Sequence, residues 1–387
     1  MNVFLTGSTG FLGGELAVLL SKRPQIRRLY CLIRANDAQK AWSRLQQVFQ
    51  FHGDAFDSTR IIPVVGDLGD ASLAEKLCRL KDLGEVDTVI HAAADTSFAP
   101  ASTESVEKVN IAGTRQILNW AQSLPKLETF LYVGTASICG TGLTQCNIQE
   151  DQSPNSGAAH LVRYCYTKMV GEMTVTTAIP REKLLVVRPS IIMGDTRDWT
   201  PRSYVILWAL AAVNAIRLIP SNPEAHLDII PVDYTACAIV QLLFARRKWT
   251  TYHISAGKNS ASTLEAILRA ADDPSDSRPP FKFVRHELLQ QMKKWPKKLL
   301  PQSELHQPEF GEYLAYWNSA FNGNGDLRLL LTAMGPYFRF MDLDQTFDNS
   351  RLLADTDIGN PPPAHEYVKK TTRHLNKIDL TEGALDP

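Results

Sequence analysis

The sequence has no cysteines spaced Cys-x-x-Cys and no nearby histidine pair to complete a zinc site. Its six cysteines, at 31, 78, 139, 146, 165 and 237, are scattered over 387 residues, which points to reduced thiols and excludes a disulfide scaffold. It has no excess charge. Forty-one basic residues balance 41 acidic ones, so the broad electropositive field that nucleic acid or an anionic membrane attracts is missing. No apolar run is long enough to span a bilayer: the longest, Tyr204 to Ile216, has 13 residues against the ~20 required. No signal-peptide pattern opens the chain, because Asn2-Val3-Phe4-Leu5 reads as a buried strand. These absences predict a cytoplasmic chain without a metal site. The composition, 44% apolar and 21% charged, is that of a globular protein with a sizeable core.

What is present is alternation. Short apolar strands are predicted at Val3–Thr6, Arg28–Ile33, Ile61–Val65, Thr88–His91, Thr129–Val133 and Leu184–Arg188. Helix patterns lie between them at Phe11–Ser21, Asp37–Gln50, Glu104–Ser123 and His160–Ile179. This order predicts an α/β fold, a Rossmann-type doubly wound parallel sheet. Later, Asp228–Val232 and Tyr252–Ser255 read as strands, and Thr263–Ala271 as a helix. Asp233 is placed to cap an apolar helix, Tyr234–Phe244. Asp272–Pro280 is rich in Pro, Ser and Asp and reads as a loop, followed by a mostly helical tail. The predicted division is a nucleotide-binding domain over 1–200, rejoined by 225–258, and a smaller helical substrate region over 201–224 and 259–387.

Thr6-Gly7-Ser8-Thr9-Gly10-Phe11-Leu12-Gly13 links the first strand to the first helix. The first glycine permits a tight turn, the second lets backbone approach a pyrophosphate, and the third lets helix and strand pack closely. The free N–H groups of the helix start then favour phosphate. The second strand ends in Leu32-Ile33-Arg34, where an acid would bind the ribose hydroxyl of NAD. An arginine there can form a fork onto a 2′-phosphate, so NADP(H) is expected. After the third strand, Gly66-Asp67-Leu68 puts a carboxylate near the adenine amino group, or at a helix cap.

Tyr164 and Lys168 are one helical turn apart and share a face. A nearby ammonium lowers a phenol's pKa, which would make Tyr164 a general acid–base near neutrality. Tyr166 has no such partner, since residue 170 is valine. Thr135 and Ser137 follow the fifth strand at its carboxyl end, where a hydroxyl could hold a substrate carbonyl oxygen. Asn110 lies inside a helix pattern, either as an ordinary polar residue or as an anchor near the lysine. His91 reads as packing and hydrogen bonding, and Arg188 as structural. Tyr204–Ile216 is either plain core or an acyl-chain wall. Lys293-Lys294-Trp295-Pro296-Lys297-Lys298 reads as a solvated face, with phosphate, carrier-protein or lipid contact as the alternative.

Together these segments resemble the extended short-chain dehydrogenase/reductase superfamily over roughly residues 1–260. The superfamily's threonine or serine lies five residues before a glycine, so Gly140 selects Thr135. A narrower likeness is to the fatty acyl-CoA reductase and thioester-reductase group. It rests on His91-Ala-Ala-Ala-Asp-Thr-Ser-Phe98, Val133-Gly-Thr-Ala136, Val187-Arg-Pro-Ser-Ile-Ile192, Asp228-Ile-Ile-Pro-Val-Asp233 and Phe347-Asp-Asn-Ser350. Gly134 stands where that group often has serine, and Gly14 where thioester reductases often have a basic residue.

The resemblance implies NADPH-dependent reduction of an acyl-CoA or carrier-bound thioester to aldehyde, some members continuing to the alcohol. It implies Thr135, Tyr164, Lys168 and Asn110 as the catalytic set. The cofactor would lie along Gly7, Thr9, Gly10, Phe11, Leu12, Gly13, Arg34, Asp67, Leu68, Ala92, Ala93, Tyr164, Lys168, Pro189, Ser190 and Ile191. It also suggests a homodimer through the two long helices, Glu104–Ser123 and His160–Ile179. Rival expectations are a ketone or alcohol oxidoreductase, a sugar-nucleotide epimerase or dehydratase, and a non-enzymatic dinucleotide sensor, which would not need the Tyr–Lys pair.

Overall fold

The computed structural model describes residues 1–99, 102–152, 155–197, 205–273, 277–295, 302–321, 324–372, 375 and 378–380. Seven parallel strands form one sheet. They are β1 (Asn2–Thr6), β2 (Arg28–Ile33), β3 (Ile61–Val65), β4 (Thr88–His91), β5 (Thr129–Val133), β6 (Leu184–Pro189) and β7 (Thr251–Ile254). Their spatial order is β7-β6-β5-β4-β1-β2-β3. The chain reverses direction across the sheet between β1 and β4, and the carboxyl ends at such a switch point leave a crevice for ligand. Most residues of these strands are apolar and buried, as a sheet covered on both faces requires.

One face packs on α1 (Phe11–Ser21), α2 (Ala38–Phe51) and the helix Val232–Phe244, with Leu16, Leu45 and Ile239 in its core. The other packs on the helices Thr114–Gln122 and Arg163–Ala178 through Ile117, Trp120 and Val175. Phe4 meets Trp120 there with ring centroids 4.4 Å apart. A third core, away from the sheet, gathers Trp208, Val213, Leu268, Trp317 and Phe338.

Three expectations are corrected. The predicted helix Glu104–Ser123 is not uniform: Thr103–Glu107 passes into a π-turn, Lys108–Gly113, before Thr114–Gln122. The π-turn lets Gly113 lie against Leu68, where a β-carbon would be 2.8 Å from the leucine β-carbon. The predicted strand Asp228–Val232 shrinks to Ile229–Ile230, pairing with Ile191–Ile192. Asp233 does not cap its helix, which begins at Val232 after Pro231. Its carboxylate instead accepts from the Thr196 backbone N–H and hydroxyl. Within the lysine-rich segment, Lys293 and Lys294 end a helix and Trp295 packs on Trp317, whereas 296–298 lie outside the described residues.

Arg188 is structural. It is buried with Glu172, its Nη2 2.6 Å from Oε1 and its Nη1 donating to the Glu150 carbonyl at 2.9 Å. The pair joins β6 to the helix Arg163–Ala178. A side chain at 134 would crowd it, since a β-carbon there would lie 3.0 Å from Glu172 Oε2. Glu172→Gln leaves the guanidinium buried without its counter-charge. Removing one partner of a buried pair costs about 3–5 kcal/mol, so the denaturant midpoint falls sharply in urea unfolding followed by circular dichroism.

Candidate active site

A cleft of about 840 Å³ opens along the carboxyl ends of the strands. Gly7, Thr9, Gly10, Phe11, Leu12, Gly13, Arg34, Asp67, Leu68, Ala92, Ala93, Thr135, Tyr164, Lys168, Pro189, Ser190 and Ile191 all line it. The topology thus brings together residues from Gly7 to Ile191 in one groove.

The floor is built by close backbone approach. Gly7 has φ +78°, and a β-carbon there would be 2.8 Å from the Ala93 nitrogen. A β-carbon at Gly13 would lie 2.0 Å from the Gly7 carbonyl oxygen. Neither position tolerates a side chain, because backbone cannot yield as a flexible side chain can. Gly10, extended and without a side-chain cap, leaves the first N–H groups of α1 free to face phosphate.

A buried hydrogen-bond chain fixes this floor. Thr6 Oγ1 accepts from the Ala92 and Ala93 N–H groups at 3.1 and 3.0 Å. Its own proton therefore goes to His91 Nδ1, 2.8 Å away. That leaves the His91 proton on Nε2, donating to Thr114 Oγ1 at 3.0 Å, while Thr114 donates to the Asn110 carbonyl at 2.7 Å. Burial first, and then the Lys168 charge, push His91 down to about 3, so the imidazole stays neutral. His91 is a hydrogen-bond hub and not an acid–base group.

At the end of β2, Arg34 shares the cleft wall with Arg44, which sequence reading missed. Arg44 lies on α2 and donates to the Arg34 carbonyl. The missed signal was its place ten residues on, on the helix that rises directly from the strand end. Asp37, the nearest acid, is spent as the cap of α2, accepting from Lys40 N–H at 2.7 Å. Asp67 lines the cleft and also braces its own turn, accepting from Gly69 N–H at 2.9 Å.

Tyr164 and Lys168 both face the cleft from the start of the helix Arg163–Ala178. Lys168 is buried, donates to the Val133 carbonyl at 2.6 Å, and is pushed down to about 7 by burial, which the Glu172 charge partly opposes. The expected lowering of the tyrosine does not occur. Burial, then Cys165, raise the Tyr164 phenol. Thr135 Oγ1 has only long partners, Pro189 O and the Ser137 N–H, each at 3.4 Å. Its hydroxyl can therefore turn to a substrate. Ser190 Oγ is buried beside the Asp228 carboxylate.

Asn110 is not in the cleft wall. Its amide donates to Asp95 O and Thr167 Oγ1 at 2.9 and 3.0 Å and accepts from Asp95 N–H at 2.8 Å. It braces the loop after β4 and the residue before Lys168, and no hydrogen bond joins it to Lys168.

Beyond Tyr164 the cleft becomes an apolar chamber. The helix Val205–Ile216 serves as core and wall together: Trp208 is buried among other side chains, whereas Ala209, Leu210 and Val213 face the chamber. Tyr204 lies outside the described residues. Leu264, Ile267, Leu268, Tyr337, Phe340 and Met341 complete it. Phe98, after β4, links the halves. Its ring lies 6.0 Å from Tyr164 and stacks on Tyr337 at 5.1 Å. A short strand, Gln345–Phe347, pairs with Cys146–Ile148 and is tied beneath the Thr135 turn, Gln345 donating to the Gly140 carbonyl at 2.9 Å.

A glycine turn on a parallel sheet, with a Tyr–Lys pair at the carboxyl edge, defines a Rossmann-type nicotinamide-dinucleotide domain of the extended short-chain dehydrogenase/reductase kind. Residues 5–239 match the NAD-binding family described as male sterility protein, and the chain belongs to that family. Mouse fatty acyl-CoA reductase 2 is 26% identical over 294 residues, covering 65% of this chain and 55% of that protein. This chain therefore spans little more than half of that relative. A linear gramicidin synthase of Brevibacillus parabrevis is 29% identical over 246 residues, which is 62% of this chain but 5% of that protein. Among solved structures, the terminal R domain of the myxalamid PKS-NRPS pathway superimposes with a TM-score of 0.72 at 23% identity, covering 97% of this chain and 90% of its own. UDP-glucuronic acid 4-epimerase of Bacillus cereus, in complex with NAD, gives 0.62 at 16% identity, covering 97% and 99%. At such identities these two show the shared fold.

Thr6→Val keeps the shape of the hub and removes its oxygen. Two buried N–H groups and His91 then lose their partner, at about 1–3 kcal/mol for such orphaned groups. The variant unfolds at lower denaturant and binds nicotinamide dinucleotide more weakly in a fluorescence titration, because Ala92 and Ala93 line the cleft.

Proposed function

We propose that the protein uses NADPH to reduce an acyl thioester, on CoA or a carrier protein, to the aldehyde. One observation carries this reading: a single cleft runs from two guanidinium groups, past Tyr164 and Thr135, into an apolar chamber with no charged side chain among its described walls. The helical part, 201–224 and 259–387, is in this reading the substrate-binding unit. The fatty acyl-CoA reductases among its relatives, and their shared family, support the reading. The same chamber offers little to a polar sugar nucleotide.

Arg34 and Arg44 would hold the 2′-phosphate, and the Gly7–Gly13 turn the pyrophosphate. When bound, the nicotinamide supplies a hydride to the acyl carbon. Lys168 would hold the adjacent ribose. Tyr164, kept protonated by burial, gives its proton to the carbonyl oxygen as negative charge grows there, and Thr135 adds a second hydrogen bond. The hemithioacetal then expels the thiol and leaves the aldehyde.

The test is NADPH oxidation by purified protein over a panel of acyl-CoAs of different length. Oxidation that depends on the thioester is expected; turnover of ketones or alcohols alone would overturn the reading. Tyr164→Phe should lower kcat by about 10²–10⁴-fold while leaving the Kd for NADPH nearly unchanged, since the proton is needed only in the reaction. Arg34→Ala and Arg44→Ala should each weaken NADPH by roughly ten- to a hundredfold, the range of a charge-assisted hydrogen bond, and leave NADH almost unaffected in the same titration.

A further inference from the structure

Lys168 is a buried ammonium without an ion-pair partner among the described residues. Its one hydrogen bond from Nζ goes to the Val133 carbonyl. The carboxylate closest in sequence, Glu172, is one turn along the same helix and is committed to Arg188 in a bidentate pair. What lies under the ammonium is an aromatic face: Nζ is 4.5 Å from the centroid of the Tyr132 ring. That ring sits on β5, fully buried, with its hydroxyl turned to the Lys168 carbonyl at 3.4 Å.

The helix is shaped to this contact. A β-carbon on Gly171 would come within 2.4 Å of Tyr132 Oη, so only glycine lets the helix settle on the ring. The other groups facing Lys168 offer it no counter-charge. His91 from β4 is neutral and packs against Tyr132, with ring centroids 5.9 Å apart. Tyr164 is an uncharged phenol, and Arg188 from β6 is tied to Glu172. A ring face attracts a cation within about 6 Å, and more strongly when water is excluded.

We propose that Tyr132 is a positioning residue for Lys168: its ring face, with the Val133 carbonyl, holds the ammonium charged and aimed into the cleft. The inference rests on the reading of Tyr164 and Lys168 as the acid–base pair. It goes beyond that reading in naming a group that, beside the Glu172 charge, favours the ionised lysine where burial opposes ionisation.

The test follows Lys168 directly, with neither cofactor nor substrate. Protein labelled with ¹³C,¹⁵N-lysine is titrated by NMR, and the Lys168 Nζ signal is assigned by its loss in Lys168→Met. The titration midpoint is expected near 7 in the parent protein. Tyr132→Phe, which keeps the ring, leaves it unchanged. Tyr132→Leu lowers it by about one pH unit, the size of a desolvated cation–π contact. Pentafluorophenylalanine at 132 keeps the ring volume, reverses its face charge and lowers the midpoint as much, so the test stands even where the leucine variant fails to fold. A parental midpoint in the fluorinated protein would overturn the proposal and reduce Tyr132 to packing. Thioester turnover is measured in parallel. No turnover by the parent protein sinks the functional reading and leaves the Tyr132 result intact, whereas turnover with an unmoved midpoint sinks only the Tyr132 proposal.

Discussion

The structure depends on backbone lying directly on backbone at the carboxyl edge of the sheet. Gly13 rests on the Gly7 carbonyl, Gly7 on the loop after β4, and Gly113 on the loop after β3. Each contact leaves no room for a β-carbon. This brings three loops and the π-turn close enough to form one continuous floor, and only then do the Thr6 hydroxyl and His91 reach their partners. Without it, the free N–H groups at the start of α1 would face solvent instead of a narrow crevice.

The second theme is charge held where water is scarce. Burial works in opposite directions on the two halves of the proposed acid–base pair, raising the phenol and lowering the ammonium, so both drift toward their neutral forms. A phenol that keeps its proton suits an acid that must give it up only as an oxyanion forms. The ammonium needs support, and in this fold the support is a carbonyl and a ring face. The Glu172–Arg188 pair beside it stiffens the wall, and the Glu172 charge partly opposes the lowering of the ammonium.

The C-terminal residues are part of the site although they stand far from the glycine turn in sequence. Asp228, buried and pushed up to about 6 by burial, accepts from the Ala256 and Phe347 N–H groups at 2.7 and 3.0 Å. Asn349 donates to the Ser255 carbonyl at 3.1 Å. Together with Gln345 they clamp the strand Gln345–Phe347 against the sheet and beneath the Thr135 turn. Phe98 then carries the packing across to Tyr337, so the nucleotide half and the apolar chamber share one wall.

Much of the nucleotide half was legible because its signals are local. Strand–helix alternation, the glycine turn, the Arg34 strand end and the Tyr164–Lys168 spacing each depend on neighbours within about one or two turns. The π-turn and Asp233 turning from cap to tether were not legible, since each is set by a segment that arrives from elsewhere in the chain, whereas Arg44 was missed although its place on α2 is local. The same holds for charge state. Spacing suggested that the ammonium would lower the phenol, and burial, a property of the packed molecule, decided otherwise. The sequence by itself determined the parallel sheet, the glycine turn and the one-turn spacing of Tyr164 and Lys168, because short-range periodicity and backbone sterics require nothing more. Tertiary structure alone decided which of those side chains are dry, which rest on a ring or a carbonyl, and that the chamber beyond Tyr164 is apolar, because desolvation and contact exist only once distant segments meet.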